Sequence, residues 1–76
     1  MSTWRFENRK ITERRLALGL SKRALARKAS ISEVSLRRLE AGVHQARASS
    51  LAALATALDV SPGYFFEKDA SIIDEN

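Results

Sequence analysis

The chain has 76 residues, no cysteine and one histidine. It therefore has room for one domain with a small core, and it lacks the residues for a disulfide framework, a zinc–thiolate site or a histidine metal cluster. Residues 1–47 contain twelve Lys or Arg and four acidic residues, which gives a net charge of +8. Residues 48–76 contain one Lys and five acidic residues, which gives a net charge of −4. The basic part faces either solvent or a polyanion such as nucleic acid.

No apolar run approaches the roughly 20 residues of a membrane span, and the first nine residues lack the apolar stretch of a signal peptide. We therefore expect a soluble protein of the cytoplasm, without a membrane partner. The chain has no glycine-rich phosphate loop and no paired catalytic constellation, so we expect neither an enzyme nor a bound cofactor.

Good helix formers dominate residues 9–58. Apolar spacing predicts a first helix over about Phe6–Leu18, which Gly19 ends in a left-handed cap. Ser21 offers a side-chain oxygen to free backbone amides, and this predicts that a second helix begins at Lys22.

A third helix is predicted soon after the second. The segment Ser30–Ser32 interrupts the helical pattern, and its last serine can cap the next helix. That helix buries Leu36 and Leu39 and stops at Gly42. Two short helices joined by a turn of three or four residues are typical of a helix-turn-helix unit.

The last predicted elements are also helical. A fourth helix is expected over about Ser49–Leu58, where leucines and alanines follow the helical period. Ser61 and Pro62 predict the start of a short fifth helix, which carries Tyr64, Phe65 and Phe66. Residues 69–76 have the composition of a tail. No alternating run predicts a strand.

The helix-turn-helix unit also requires particular residue types. Ala26 is small where the helices approach, Ile31 is apolar in the turn, and Leu36 and Leu39 anchor the third helix. The segments GLSKRALARKASISEVSLRRLEAG and SSLAALATALDVSPGYFF resemble the Cro/CI-type (XRE-like) helix-turn-helix proteins, which include phage repressors and small bacterial regulators.

The resemblance implies an all-α, five-helix domain of the lambda-repressor type, with the helix-turn-helix formed by helices 2 and 3. The single domain would span residues 1–76, with its core at about 9–67. Ser30 stands where the family commonly has glycine, and a left-handed backbone there would cost serine about 1 kcal/mol.

The outward positions of the third helix match the family's base-reading positions. These positions hold Glu33, Val34 and Arg38. Glu can accept a hydrogen bond from cytosine N4–H, Val can contact a thymine methyl group, and Arg can donate to guanine O6 and N7. An acidic residue in the first turn is also favoured by the helix dipole alone, so a structural role of Glu33 stays open.

Other residues are candidates for contacts with the DNA backbone. Cations at the start of the second helix oppose its dipole, which favours a phosphate role for them. The predicted backbone contacts are Ser21, Lys22, Arg23, Ser35, Arg37 and Arg47.

Two further groups are predicted to act in structure and assembly. Arg15 and Glu40 match a family ion pair that joins the first and third helices, the alternative being two independent solvated charges. The late apolar residues are candidates for a dimer interface or for the core. They are Tyr64, Phe65, Phe66, Ile72 and Ile73.

The function that the resemblance implies is sequence-specific binding to double-stranded DNA, by a homodimeric transcription regulator that represses from an inverted-repeat operator. An antitoxin with a toxin partner and a restriction-modification controller use the same module and stay open. The basic first half argues against a protein-interaction module that does not bind DNA.

Overall fold

The computed structural model describes residues 4–43 and 46–68. This part of the chain has four α-helices, a single 3₁₀ turn and two short strands, and its elements lie in the following order. They are β1 (Trp4–Phe6), α1 (Arg9–Ala17), α2 (Lys22–Ala29), α3 (Glu33–Ala41), α4 (Ala48–Leu58), the 3₁₀ turn (Pro62–Phe65) and β2 (Phe66–Lys68). None of the described helices is long and apolar enough to cross a bilayer.

The predicted serine caps start the two central helices. The Ser21 hydroxyl accepts a hydrogen bond from the Ala24 amide at 3.0 Å, and the Ser32 hydroxyl accepts one from the Ser35 amide at 3.0 Å. Each bond satisfies one of the amides that a helix N-terminus leaves without a partner. Both boundaries were therefore readable from the sequence.

All four helices are followed by a residue in the left-handed backbone region. Behind α2, for example, the amide of Ile31 bonds the Ala26 carbonyl at 3.0 Å and the Ser30 amide bonds the Arg27 carbonyl at 3.2 Å. This pair of bonds satisfies helix-end carbonyls. The four left-handed residues are Gly19, Ser30, Gly42 and Asp59.

The helices enclose one apolar core. α2 packs against α3 and α4, while α1 packs against α3, α4 and the 3₁₀ turn. The largest fully buried side chains come from every helix and from the 3₁₀ turn, so the core joins all of them. They are Phe65, Ile11, Leu25, Leu36, Leu39, Leu54 and Leu58.

The ends of the described chain form a small antiparallel sheet that the sequence did not predict. Phe6 pairs with Phe66 and Trp4 with Lys68, and the two phenylalanine rings meet edge to face at 5.8 Å. The predicted fifth helix is wrong, because the helical segment stops after four residues and Phe66 is extended to pair with β1. The predicted start of the first helix at Phe6 is wrong for the same reason.

Phe65 is a core residue. Its side chain is fully buried in the single chain, so it is not available to a second chain, and its assignment to a dimer interface is wrong. Tyr64 and Phe66 are half-buried beside it. Ile72 and Ile73, the other two residues assigned to that interface, lie outside the described residues.

Candidate nucleic-acid interface

The turn between α2 and α3 fixes how the two helices cross. Ser30 adopts φ 58°, as the glycine-like position of the turn requires, and Ile31 is half-buried against the core. Ala26 is 3% exposed, and its small side chain lets α3 approach α2. Leu36 and Leu39 hold the inner side of α3 in the core, so the opposite side of α3 faces outward.

The outward side of α3 carries the predicted base-reading residues. Val34 is 49% exposed, and Glu33, Arg37 and Arg38 are also exposed. Arg37 approaches Glu33 only loosely, at 3.7 Å. Within residues 4–43 and 46–68, Arg38 has no side-chain hydrogen bond or ion pair, so its guanidinium keeps all its donors for a ligand.

The residues predicted to contact phosphates surround this helix. Lys22 and Arg23 form the first turn of α2, where amides not used by the Ser21 cap point out of the helix. Arg47 is exposed directly before α4. Ser35 is half-buried and its hydroxyl accepts a hydrogen bond from Ser32 at 3.0 Å. None of the nine residues predicted to contact DNA is buried.

The charges near the small sheet are compensated within the chain. Arg9 contacts Glu7 at 3.6 Å and Glu13 at 3.2 Å, and Lys10 contacts Glu67 at 3.2 Å. The side chain of Arg5 also bonds Glu7, at 2.9 Å. Cations that already have carboxylate partners add little to the attraction of a polyanion.

The bases of α2 and of the outward side of α3 lack such compensation. The sequence of α2 is KRALARKA, with four bases and no acid, and Glu33 is the only exposed acid of α3. Within the part of the chain that the structure describes, the only cation of this region in an ion pair is Arg37. This is the concentrated positive surface that a phosphate backbone attracts.

Glu40 lies on the side of α3 that faces α1, where it forms an ion pair with Arg15 of α1. The Arg15 Nε is 2.9 Å from one Glu40 carboxylate oxygen, and Nη2 is 3.2 Å from the other. Their side chains are 9% and 5% exposed. The two residues thus form a buried ion pair with two hydrogen bonds. Because Glu40 is buried in this pair, its charge does not offset the bases on the outward side of α3.

Glu40 has two further partners that were not predicted from the sequence. The Asn8 side-chain amide donates to the Glu40 carbonyl at 2.7 Å, and the Thr12 hydroxyl donates to its carboxylate at 2.9 Å. A signal for them was present, because Asn8, Thr12 and Arg15 have the i, i+4, i+7 spacing of one helical stripe.

The sequence profile of the family HTH_3, described as helix-turn-helix, matches residues 11–65. The chain belongs to the HTH_3 helix-turn-helix family. It is thus a DNA-binding regulator of the Cro/CI type, and the matched range contains α2, α3 and every residue predicted to contact DNA. The family and the structures described next are regulators rather than enzymes.

Solved structures show the same fold. The chain is similar to the restriction-modification controller protein C.AhdI from Aeromonas hydrophila, with 29% identity, a TM-score of 0.74, and coverage of 76% of this chain and 88% of that one. It is similar to the P22 c2 repressor in complex with synthetic operator 9T, with 28% identity, a TM-score of 0.74 and coverage of 80% and 92%.

A third similar structure is the biofilm master regulator SinR in complex with DNA, with 26% identity, a TM-score of 0.72 and coverage of 75% of this chain and 95% of that one. A comparison with curated protein sequences gives no match. The chain therefore shares its fold with DNA-binding regulators of this family.

Proposed function

We propose that this HTH_3 protein is a sequence-specific regulator that represses transcription as a homodimer on an inverted-repeat operator. The observation that carries the proposal is the basic surface of α2 and of the outward side of α3, where Arg38 is exposed and has no partner among the described residues. A base-reading helix needs an outward face that is free of internal partners and an inner face that is held rigidly.

The phosphate backbone supplies affinity in this mechanism. Lys22, Arg23 and Arg47 bind phosphates, and the free amides at the start of α2 add an anion site next to them. Ser35 and Arg37 border the face of α3 and contact the backbone beside it. These contacts set the register of α3 in the major groove without reading sequence.

The outward side of α3 supplies specificity. Arg38 donates two hydrogen bonds to guanine O6 and N7, Glu33 accepts from cytosine N4–H, and Val34 contacts a thymine methyl group. The Arg37 Nη2 and the Glu33 Oε2 are 3.7 Å apart. This exposed ion pair is weak, so both side chains can leave it when DNA offers better partners.

A homodimer follows from the small size of the reading surface. One helix reads about four or five base pairs, too few to select a site in a genome. A two-fold pair places two α3 helices about 34 Å apart, one turn of DNA. In our proposal its interface is formed by Tyr64 of the 3₁₀ turn, by Phe66 and Trp4 of the sheet, and by Ile72 and Ile73 of the tail. Trp4 is 58% exposed.

Selection of bound sequences from random duplex DNA tests the function. We expect an inverted repeat with half-site centres about one helical turn apart, and sedimentation should find two chains on each selected duplex. Recovery of unrelated sequences would contradict sequence-specific binding. One chain per duplex at full affinity would contradict the dimer alone. Phe65→Asp is unsuitable as a dimer variant, because that side chain is in the core.

A restriction-modification controller is the second candidate, and the similarity to C.AhdI favours it. Both candidates bind DNA through the same face of α3, so binding measurements alone do not separate them. The position of the selected sequence in the genome separates the two candidates. A site upstream of genes for a restriction enzyme and its methyltransferase would identify a controller, and a site elsewhere would exclude it.

A further inference from the structure

A polar stripe of α1 meets the C-terminal end of α3 on the side away from the proposed DNA surface. Three residues form the stripe, and all three bond Glu40. Thr12 and Arg15 donate to its carboxylate at 2.9–3.2 Å, and Asn8 donates to its backbone carbonyl at 2.7 Å. Glu40 is thus bonded through both its side chain and its main chain.

The bond from Asn8 adds a contact at the end of α3. The amides of Gly42 and Val43 bond the Leu39 and Arg38 carbonyls at 3.2 and 3.3 Å, and within residues 4–43 and 46–68 no backbone amide bonds the Glu40 carbonyl, which is one of the last four acceptors of the helix. The Asn8 side chain donates to this carbonyl. A Cβ added at Gly42 would lie 3.3–3.4 Å from the Asn8 side-chain amide, so the two segments are also in close steric contact.

Asn8 is itself held firmly. It lies between β1 and α1, and the amide of the preceding Glu7 bonds the Phe65 carbonyl at 2.7 Å. Arg15 is likewise fixed, because its third guanidinium nitrogen donates to the Leu20 carbonyl at 2.9 Å. The donors that hold Glu40 therefore belong to a rigid frame made of α1 and the sheet.

We propose that Asn8 and Thr12 are positioning residues that set the rotation and the axial position of α3, and through them the discrimination between DNA sequences. The inference rests on the proposed function. Leu36 and Leu39 hold the inner side of α3 in the core, and the Arg15 pair holds its C-terminal end at one side chain. The bond to the main chain and the second bond to the carboxylate further restrict small rotations and shifts of that end.

The physical reason is that base reading tolerates little displacement. Arg38 lies two residues before Glu40 in α3, so a small rotation at the held end moves its guanidinium relative to the groove. Bidentate bonds to a base edge require geometry within about 0.5 Å. Phosphate contacts tolerate more, because long cationic side chains adjust.

The test compares Thr12→Val, which removes the hydroxyl at constant shape, with Thr12→Ser, which keeps it. Thr56→Val is the matched control, because the Thr56 hydroxyl bonds only the Ala52 carbonyl of its own helix, at 3.1 Å. For each protein, the dissociation constant is measured with the duplex that the parent chain selects from random DNA and with a shuffled duplex.

We expect Thr12→Val to lower the ratio of the affinity for the selected duplex to that for the shuffled duplex about five- to tenfold, corresponding to one lost hydrogen bond. Most of the change should be weaker binding to the selected duplex. Thr12→Ser and Thr56→Val should keep the ratio. A loss of stability alone lowers binding to both duplexes equally and leaves the ratio unchanged. An unchanged ratio in Thr12→Val would overturn the inference.

A measurement without DNA keeps the inference testable if the parent chain selects no sequence, which would contradict the proposed function instead. Residual dipolar couplings of backbone amides report the orientation of α3 relative to α4. We expect Asn8→Ala and Thr12→Val to change that orientation and Thr56→Val to leave it as it is. Couplings that are identical in all four proteins would overturn the positioning role.

Discussion

The molecule has two basic regions that the sequence does not distinguish and the structure does. Around the small sheet and the start of α1, Arg5, Arg9 and Lys10 are paired with carboxylates. On α2 and the outward side of α3, all bases are exposed except Lys22, which is half-buried, and Arg38 has no partner among the described residues. The bases named in both regions lie in residues 1–47, whose net charge is +8.

The difference teaches that net charge predicts the class of partner and that pairing decides where the partner binds. A third arrangement, the buried pair of Arg15 and Glu40, shows the other use of the same two residue types. It is closed to solvent and holds α3, whereas Arg37 and Glu33 are 58% and 43% exposed and 3.7 Å apart. Burial therefore separates structural charges from binding charges on one helix.

The largest effect is expected from breaking the buried pair. Glu40→Ala leaves the Arg15 guanidinium buried without its carboxylate and should lower the free energy of unfolding by about 3–5 kcal/mol. Urea denaturation measures this, with Glu13→Ala as the control from an exposed pair. A loss below about 1 kcal/mol would mean that the pair behaves as a solvated one.

Arg38→Ala should act on binding and leave folding intact, because the side chain is exposed and without a described partner. It should lower the binding free energy for the selected duplex by about 1–3 kcal/mol and relax specificity at one base pair per half-site. Arg9→Ala, from the paired region, is the control and should change neither. Equal losses on selected and shuffled DNA would reassign Arg38 to a phosphate.

Lys22→Ala should have a smaller and sequence-independent effect. Removing one phosphate contact weakens binding to all duplexes about equally and lowers the slope of log K against log salt by about one unit. Lys10→Ala is the matched control, since that ammonium contacts Glu67 and the Tyr64 ring. An equal drop in slope for Lys10→Ala would erase the distinction between the two regions.

The smallest effect is expected at the left-handed positions. Ser30→Gly at the edge of the DNA-facing region and Asp59→Gly outside it remove strain at φ 58° and 60°. Each should raise the free energy of unfolding by up to about 1 kcal/mol, as thermal denaturation will measure. Both should keep the salt slope of the parent chain, whereas a changed slope for Asp59→Gly would extend the interface to that region.

The helices were predictable because their signals are local. Ser21 and Ser32 cap them, Gly19 and Gly42 end them, and the apolar period fixes their inner faces. The strands were not, because each has three residues, too few for an alternating pattern, and Trp4 pairs with Lys68 at the other end of the described chain. The aromatic run ending in Phe66 was therefore read as helical.

The exposure of the candidate site residues was predictable where it depends on position along a helix. Glu33, Val34 and Arg38 follow from the period of α3, and the structure exposes all three. The bonds of Asn8 and Thr12 depend on how α1 crosses α3, which no local pattern specifies. The burial of Phe65 beside two half-buried aromatic residues likewise depends on the 3₁₀ geometry of one turn.

The central claim is that the outward side of α3, and not the paired basic region, is the surface that meets DNA. Titration of the ¹⁵N-labelled chain with the selected duplex tests it most directly, with backbone amide shifts recorded along residues 4–43 and 46–68. The account predicts the largest changes at residues 21–23 and 33–38 and small changes at 7–10, in the paired basic region. Changes concentrated at 7–10, with none at 33–38, would contradict it.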